Sequence, residues 1–357
     1  MHKMNRCHVF VVNEKTFPYH LKYRFAGTTA GENRAKHVGL LADIARTRPG
    51  DKVLFYLQKK GFFGVYEVDS DHPFVEPTDG WLQTELGIPL IYRIRIRPAE
   101  IYSRPLSEWK AVDELPERAR DIRWSLIYRK LKGERGCSYL FPQEWKNIYE
   151  LIKFENENRC INVEENELLI YECKQNLVIT KPEVSPSYEG SSESAHKHLV
   201  PVVKESHLQA WLTWHIGRNV KLEAMIPSQN LVWFANEVYA GAGMQKMDIL
   251  CIWDNGSAKE YGIFELKGGS IGNNEISSMI EQTRRYIWWV DNYIREQSDT
   301  VRVVWIVREL AGKASEAKKL LQEEQDKGVR SVEIWVWKLG QDKEPSFRKE
   351  ESYPSSS

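Results

Sequence analysis

The sequence predicts a two-domain protein of α/β and α+β class: a small β-barrel with helices, then a mixed sheet of order αβββαβ flanked by helices. Three observations carry this expectation. The chain has 357 residues, more than a single core normally organises. Residues 182–198, PEVSPSYEGSSESAHKH, are rich in Ser, Pro and Glu and offer little to bury, so they read as a break. On either side of that break, β-rich runs and helical periodicities follow two different orders.

In the first half, Cys7 to Asn13 reads as a short apolar strand, and Glu32 to Arg46 has helical spacing through Val38, Leu41, Ala42 and Ala45. Pro49-Gly50 ends that helix. Lys52 to Leu57 and Gly61 to Val68 are β-rich runs joined by Gln58-Lys59-Lys60, a hairpin signal, and Ile91 to Ile96 alternates apolar and polar residues. Leu168 to Tyr171 and Leu177 to Ile179 are two short apolar runs that fit a hairpin or edge strands. In the second half, Glu205 to Ile216 is helical; Leu231 to Tyr239, Met247 to Trp253 and Tyr261 to Leu266 are strands; Glu275 to Ile294 is a long helix. Val301 to Val307 is a strand, Lys313 to Asp326 a charged helix, and Ser331 to Trp337 a last strand. The expected organisation is a domain at 1–153, a connecting segment at 154–204, a second domain at 205–339 and a disordered tail at 340–357.

Fifty Lys and Arg balance fifty Asp and Glu, which excludes a globally basic nucleic-acid-coating protein. The balance is uneven along the chain. Residues 1–153 hold 26 basic against 19 acidic residues, residues 154–204 hold 5 against 9, and residues 205–357 hold 19 against 22. No window approaches 18 apolar residues and no signal-peptide core follows Met1, so a cytoplasmic protein without a membrane partner is expected. Five scattered cysteines without a C-x-x-C pair argue against a disulfide framework or a zinc knuckle. No G-x-x-x-x-G-K-[ST] loop is present, so ATP is not an expected partner; Gly268-Gly269 reads as a turn.

The chemistry concentrates in the central strands. Asp248 opens one apolar run, and Glu265-Leu266-Lys267 closes the next. Period two puts Glu265 and Lys267 on one face and Phe264 and Leu266 on the other. Two carboxylates converging from adjacent strands can hold Mg²⁺ or Mn²⁺ through oxygen, and a neighbouring ammonium can orient a water for phosphodiester hydrolysis. Upstream, Glu205 shares a helical face with Leu208, Leu212 and Ile216, which turns it toward the sheet as a candidate third acid. Arg285, beside Arg284, is a candidate phosphate contact. Arg93, Arg95 and Arg97 alternate on one strand face and form a candidate phosphate-contacting stripe. His207 and His215, near Trp211 and Trp214, read as packing residues.

These residues resemble the PD-(D/E)XK nuclease superfamily over about 205–339, with Asp248 as the first acid and Glu265-Leu266-Lys267 as E-x-K. The Pro of the family name is absent: Lys246-Met247 precede Asp248. Gln282-Thr283-Arg284-Arg285-Tyr286 resembles the Q-x-x-x-Y helix of the RecB-like branch, which implies that Gln282 and Tyr286 act beside the metal. The stretch GMQKMDILCIWDNGSAKEYGIFELKGG is also similar to the nuclease half of NucS-type endonucleases.

The N-terminal sequences GDKVLFYLQKKGFFGVYEV, IYRIRIRP and RGCSYLFPQEWKNIYELI resemble the EVE branch of the PUA-like superfamily, related to YTH domains, over about 7–152. That resemblance implies nucleic-acid binding with a modified base held in an aromatic pocket. A flipped base needs π-faces and hydrogen-bond partners; Trp81 and Trp124 are candidate faces and Asn13 a candidate partner. Together the two resemblances imply a Mg²⁺-dependent restriction-type endonuclease that cuts double-stranded DNA near a modified base, as a homodimer. The alternatives are a NucS-like repair nuclease on mismatched or branched DNA, an RNA-directed nuclease, and an inactive nucleic-acid-binding protein.

Overall fold

A computed structural model describes residues 6–30, 34–111, 130–131, 135–199, 201–241, 245–310 and 332–350. The chain separates into two compact units, one of Met4–Ala195 and one of His196–Ser357 with the first three residues. Both mix strands and helices. Among the described residues no helix is long and apolar enough to cross a membrane.

In the first unit, β1 (Cys7–Val12), β2 (Phe25–Thr28), β3 (Lys52–Leu57), β4 (Gly61–Val68), β5 (Phe74–Val75), β6 (Tyr92–Pro98) and β7 (Cys137–Leu140) form one sheet in the order β2-β6-β4-β3-β1-β7, with β5 on β6. β1 runs parallel to β3, and the remaining pairs are antiparallel. A small barrel was expected; among the described residues the strand path runs open from β2 to β7. Three further helices are α1 (Phe17–Tyr23), α2 (Arg34–Ala45) and α3 (Gln83–Leu86). α4 (Pro142–Glu155) buries Ile148, Leu151 and Ile152 in the core formed with Val9, Leu54, Tyr56 and Leu140. Its start is fixed by Glu144, whose carboxylate accepts from the Phe141 N–H at 2.8 Å and from Lys130 Nζ at 2.8 Å.

Asp51, directly after the turn that follows α2, ties the strands together. Its carboxylate accepts from Arg6 Nε at 3.0 Å, His8 Nε2 at 2.8 Å and the Arg48 N–H at 2.9 Å, all buried. Burial pushes His8 down to about 4, so the ring is a neutral donor to Asp51 at pH 7.

The segment expected to connect two domains is instead part of the first unit. β8 (Leu168–Glu172) and β9 (Leu177–Lys181) form a hairpin whose Tyr171 packs on Phe17 and Phe63 at 5.2 and 5.7 Å. The Ser/Pro/Glu-rich stretch is docked as well. Tyr188 meets Trp81, Phe74 and Phe25 edge-on at 4.5, 5.2 and 6.0 Å, and the Val75 N–H donates to the Glu193 carbonyl at 2.8 Å. Hydrophilic composition hid this docking because one aromatic ring and a few backbone bonds carry it. The docking also removes the basic excess. Over Met4–Ala195 the acids of 154–195 bring the count to 28 basic and 28 acidic residues.

In the second unit, β10 (Leu231–Tyr239), β11 (Lys246–Asp254), β12 (Lys259–Ile271), β13 (Thr300–Leu310), β14 (Val332–Leu339) and β15 (Pro345–Lys349) lie in sequential order in one sheet. β10, β11 and β12 are antiparallel, β12 to β14 parallel, and β15 antiparallel to β14. Thus part of the expected disordered tail is a strand: its Phe347 packs on Trp211 at 5.8 Å. Among the described residues the α-helices are α5 (Glu205–His215) and α6 (Asn273–Tyr293), whose Thr283 Oγ1 accepts from the buried Trp305 Nε1 at 3.0 Å. The helix expected at 313–326 lies outside the described residues.

Because Tyr188 is held between Trp81 and Phe74, Tyr188→Ala should lower the stability of the first unit by about 1–3 kcal/mol. Thermal unfolding followed by near-UV circular dichroism measures this. An unchanged melting curve would mean that residues 182–195 are a free linker.

Candidate active site

The pairing of β11 with β12 builds the site. Ile249 pairs with Phe264, so Asp248 and Glu265 are the next residues out on facing strands. The Leu266 N–H donates to Asp248 Oδ2 at 2.7 Å and fixes that carboxylate against β12. Glu265 is 3% exposed; its Oε1 accepts from Lys267 Nζ at 2.9 Å, while its Oε2 is buried with no N–H donor, and the Asp248 carboxyl is the side-chain partner left to it. On the other face Phe264 and Leu266 are fully buried, as period two requires.

Burial pushes the Asp248 carboxyl well above its usual range, and the Glu265 charge adds to this. Burial likewise raises Glu265, against the lowering effect of Lys267. Lys267 keeps its proton: burial opposes the charge, but the carboxylates of Glu265, Glu205 and Asp248 raise it above the usual lysine value. This is a buried acid pair with one compensating cation, Lys267. A divalent cation at Asp248 and Glu265 would supply the missing charge, so the residues present fit an oxygen-bound ion such as Mg²⁺.

α5 brings the third acid. Glu205 stands at its first turn and its Oε2 accepts from the Gly268 N–H at 3.2 Å. Gly268 permits the approach, since a Cβ there would stand 2.8 Å from the Glu205 nitrogen. Gly268 and Gly269 are therefore no turn: β12 continues through them to Ile271, with a register shift against β13 between Lys267 and Ser270.

Gln209 and Glu237 belong to the site and were missed by sequence reasoning. Gln209, one turn after Glu205, donates through Nε2 to the Asp248 carbonyl at 3.0 Å and to Glu237 Oε1 at 3.2 Å. Glu237 also takes an ion pair from Lys246 at 3.0 Å. The spacing of four from Glu205 was the available signal for Gln209. Nothing in the sequence marked Glu237, which stands within β10 with a positive φ of 51°.

The Q-x-x-x-Y residues take separate roles. Tyr286 is buried and its hydroxyl donates to the Lys246 carbonyl at 2.7 Å, which anchors the start of β11 two residues before Asp248. Gln282 is half-buried and makes no side-chain hydrogen bond among the described residues. Arg285 is exposed and lines a surface cavity of about 630 Å³ with Arg284, Gly241 and Trp288, an indole 58% exposed.

The other candidates are dispersed. Arg93 is 0% exposed and cannot meet a phosphate: it donates to the Leu90 and Trp81 carbonyls at 2.8 and 3.0 Å and to the Tyr188 hydroxyl at 3.2 Å. Strand parity placed it with Arg95 and Arg97 but could not show that Tyr188 covers it. Arg95 and Arg97 are exposed, and Arg97 is paired with Glu67. Asn13 is used by its own chain, its Oδ1 accepting from the Lys15 and Thr16 N–H groups at 3.0 and 2.9 Å ahead of α1. Trp81 is half-buried against Tyr23 and Tyr188, and Trp124 lies outside the described residues.

No family model and no curated protein matches the chain. Among solved structures it is similar to human THYN1 in complex with 5-methylcytosine-containing DNA, at 9% identity over 42% of this chain and 98% of that one, TM-score 0.31. A protein from Pseudomonas putida is 16% identical over 41% of this chain and 99% of that one, TM-score 0.29. The restriction endonuclease FokI is 13% identical over 54% of this chain, which spans 38% of FokI, TM-score 0.24.

The raised acids have a consequence for stability. A carboxyl held above its unfolded pKa stabilises the fold fully below the unfolded value, and that contribution is lost as pH rises through the folded value. Without divalent cations, Asp248→Asn should therefore raise Tm by a few degrees at pH 8 and by much less at pH 4. A scanning-calorimetry series over this range checks it; a variant less stable than wild type at pH 8 would contradict the raised carboxyl.

Proposed function

We propose that the chain is a metal-dependent endodeoxyribonuclease whose active site is Asp248, Glu265 and Lys267. The observation that carries this reading is the buried Asp248–Glu265 carboxyl pair beside a partly exposed lysine. Asp248 and Glu265 would hold a divalent cation through carboxylate oxygens. Such an ion, when bound, supplies Lewis-acid polarisation of a phosphoryl oxygen.

The chain's own residues do the rest. Lys267, with its side chain 27% exposed and its pKa raised, stays an ammonium at neutral pH. It donates to the attacking water or the phosphate and is not the general base. Glu205, with one oxygen on the Gly268 N–H, keeps the other as an acceptor that orients the water. Gln209 and Tyr286 are positioning residues, since each holds the backbone around Asp248. Gln282, Arg284, Arg285 and Trp288 offer the donors and the exposed ring for contact with the DNA strand. Direction of the cut by a modified base rests on the resemblance of the first half to EVE domains.

Asp248→Ala, Glu265→Ala and Lys267→Ala should each lower Mg²⁺-dependent cleavage of plasmid or modified DNA by more than about 100-fold, with DNA retention on a gel unchanged. Tyr286→Phe, which loses only the bond to Lys246, should slow cleavage by up to about 100-fold without abolishing it. Full cutting by Asp248→Ala, or in EDTA, would remove the assignment.

A further inference from the structure

A second group of ligand-type side chains lies at the far end of α5. His196 stands on the short 3₁₀ turn Ala195–His198, His215 ends α5, and Glu344 precedes β15. Their ligand atoms all fall within 4.8 Å of one another, and no other trio of His, Cys, Asp or Glu among the described residues does so. The Nε2 atoms of His196 and His215 are 3.0 Å apart. Two ligands about 2.0–2.1 Å from a tetrahedral ion stand about 3.3 Å from each other, so a shift of a few tenths of an ångström admits one.

We propose that His196, His215 and Glu344 bind a transition-metal dication of the Zn²⁺ class, which crosslinks the start of the second unit, the end of α5 and the β14–β15 turn. Two imidazole nitrogens and one carboxylate suit Zn²⁺, whereas Mg²⁺ prefers an all-oxygen octahedron. With no metal, one ring donates an N–H to the other; the cation replaces that proton and engages both lone pairs. The site is shaped by packing. Trp211 lies 4.1 Å from the His215 ring and Trp214 5.4 Å from the His196 ring. The turn is held by backbone bonds: the Gly340 N–H donates to the Glu344 carbonyl at 2.8 Å and the Glu344 N–H to Asp342 Oδ1 at 3.1 Å. Arg218, over the Trp214 ring at 5.2 Å, is a cation near His196, and Glu344 supplies an offsetting charge.

This site is separate from the acid pair. Glu205 and His215 are ten residues apart on α5, about 15 Å along the axis at 1.5 Å per residue. The inference therefore does not rest on the nuclease reading.

The test uses the full chain, stripped of metal by a chelator and dialysed. Zn²⁺ is titrated calorimetrically in excess Mg²⁺, with Co²⁺ as a spectroscopic probe. The expected result is one Zn²⁺ per chain, a higher Tm in Zn²⁺ and visible ligand-field bands with Co²⁺. Glu344→Gln should weaken binding by at least about 10-fold and His196→Ala should abolish it, while Asp248→Asn/Glu265→Gln binds as wild type does. Glu344→Gln changes a half-buried turn residue and keeps its backbone bonds, so it still reads the site if a histidine variant fails to fold. No saturable Zn²⁺ binding to the wild type, equal binding by Glu344→Gln, or loss in Asp248→Asn/Glu265→Gln instead would overturn the proposal.

Discussion

The site depends on the bond from the Leu266 N–H to Asp248 Oδ2, made possible by the antiparallel register of β11 and β12. It draws a carboxylate that would otherwise seek water against a strand that carries a second buried acid. Like charges brought together in a poorly solvated place disfavour their own ionisation. Lys267 offsets one charge, through Glu265 Oε1, and leaves the other unbalanced. The surrounding structure maintains that imbalance: Gln209 fixes the Asp248 carbonyl, Tyr286 the Lys246 carbonyl, and Gly268 lets Glu205 close in. A fold selected for stability alone has no need of this arrangement, and carboxyls with raised pKa values of this kind cluster at functional sites.

The second unit was largely legible because its strands are long apolar runs with clear ends: β10 matches its expected span, β11 and β12 extend theirs at both ends, and β14, expected at Ser331–Trp337, is described over Val332–Leu339. The acid and lysine positions followed from period two. What escaped reading was contact between elements distant in sequence. Gln209 and Glu237 meet across 28 residues, and neither belongs to a short pattern. β15 was hidden in a hydrophilic tail, where pairing with β14 and the packing of Phe347 on Trp211 override composition.

The first unit illustrates the same limit. Its strands β3 and β4 were readable to the residue. Its surface was not, because the acids of residues 154–195 fold back onto it. The local basic excess, which suggested phosphate contacts, disappears once those residues are counted with the unit they pack on. Arg93 follows suit: Tyr188 and Glu76 face it, at 3.2 and 3.8 Å, where a phosphate was expected. Net charge therefore gives this unit no general attraction for a polyanion.

The central claim is that a divalent cation replaces protons held between Asp248 and Glu265. Calorimetric titration of the full chain with Mn²⁺ in buffers of different ionisation enthalpy measures those protons directly. The account predicts net proton release on binding, increasing as the pH is lowered from 8 toward 6, and its loss in Glu265→Gln. Mn²⁺ binding without proton release, or unchanged binding by Glu265→Gln, would contradict it.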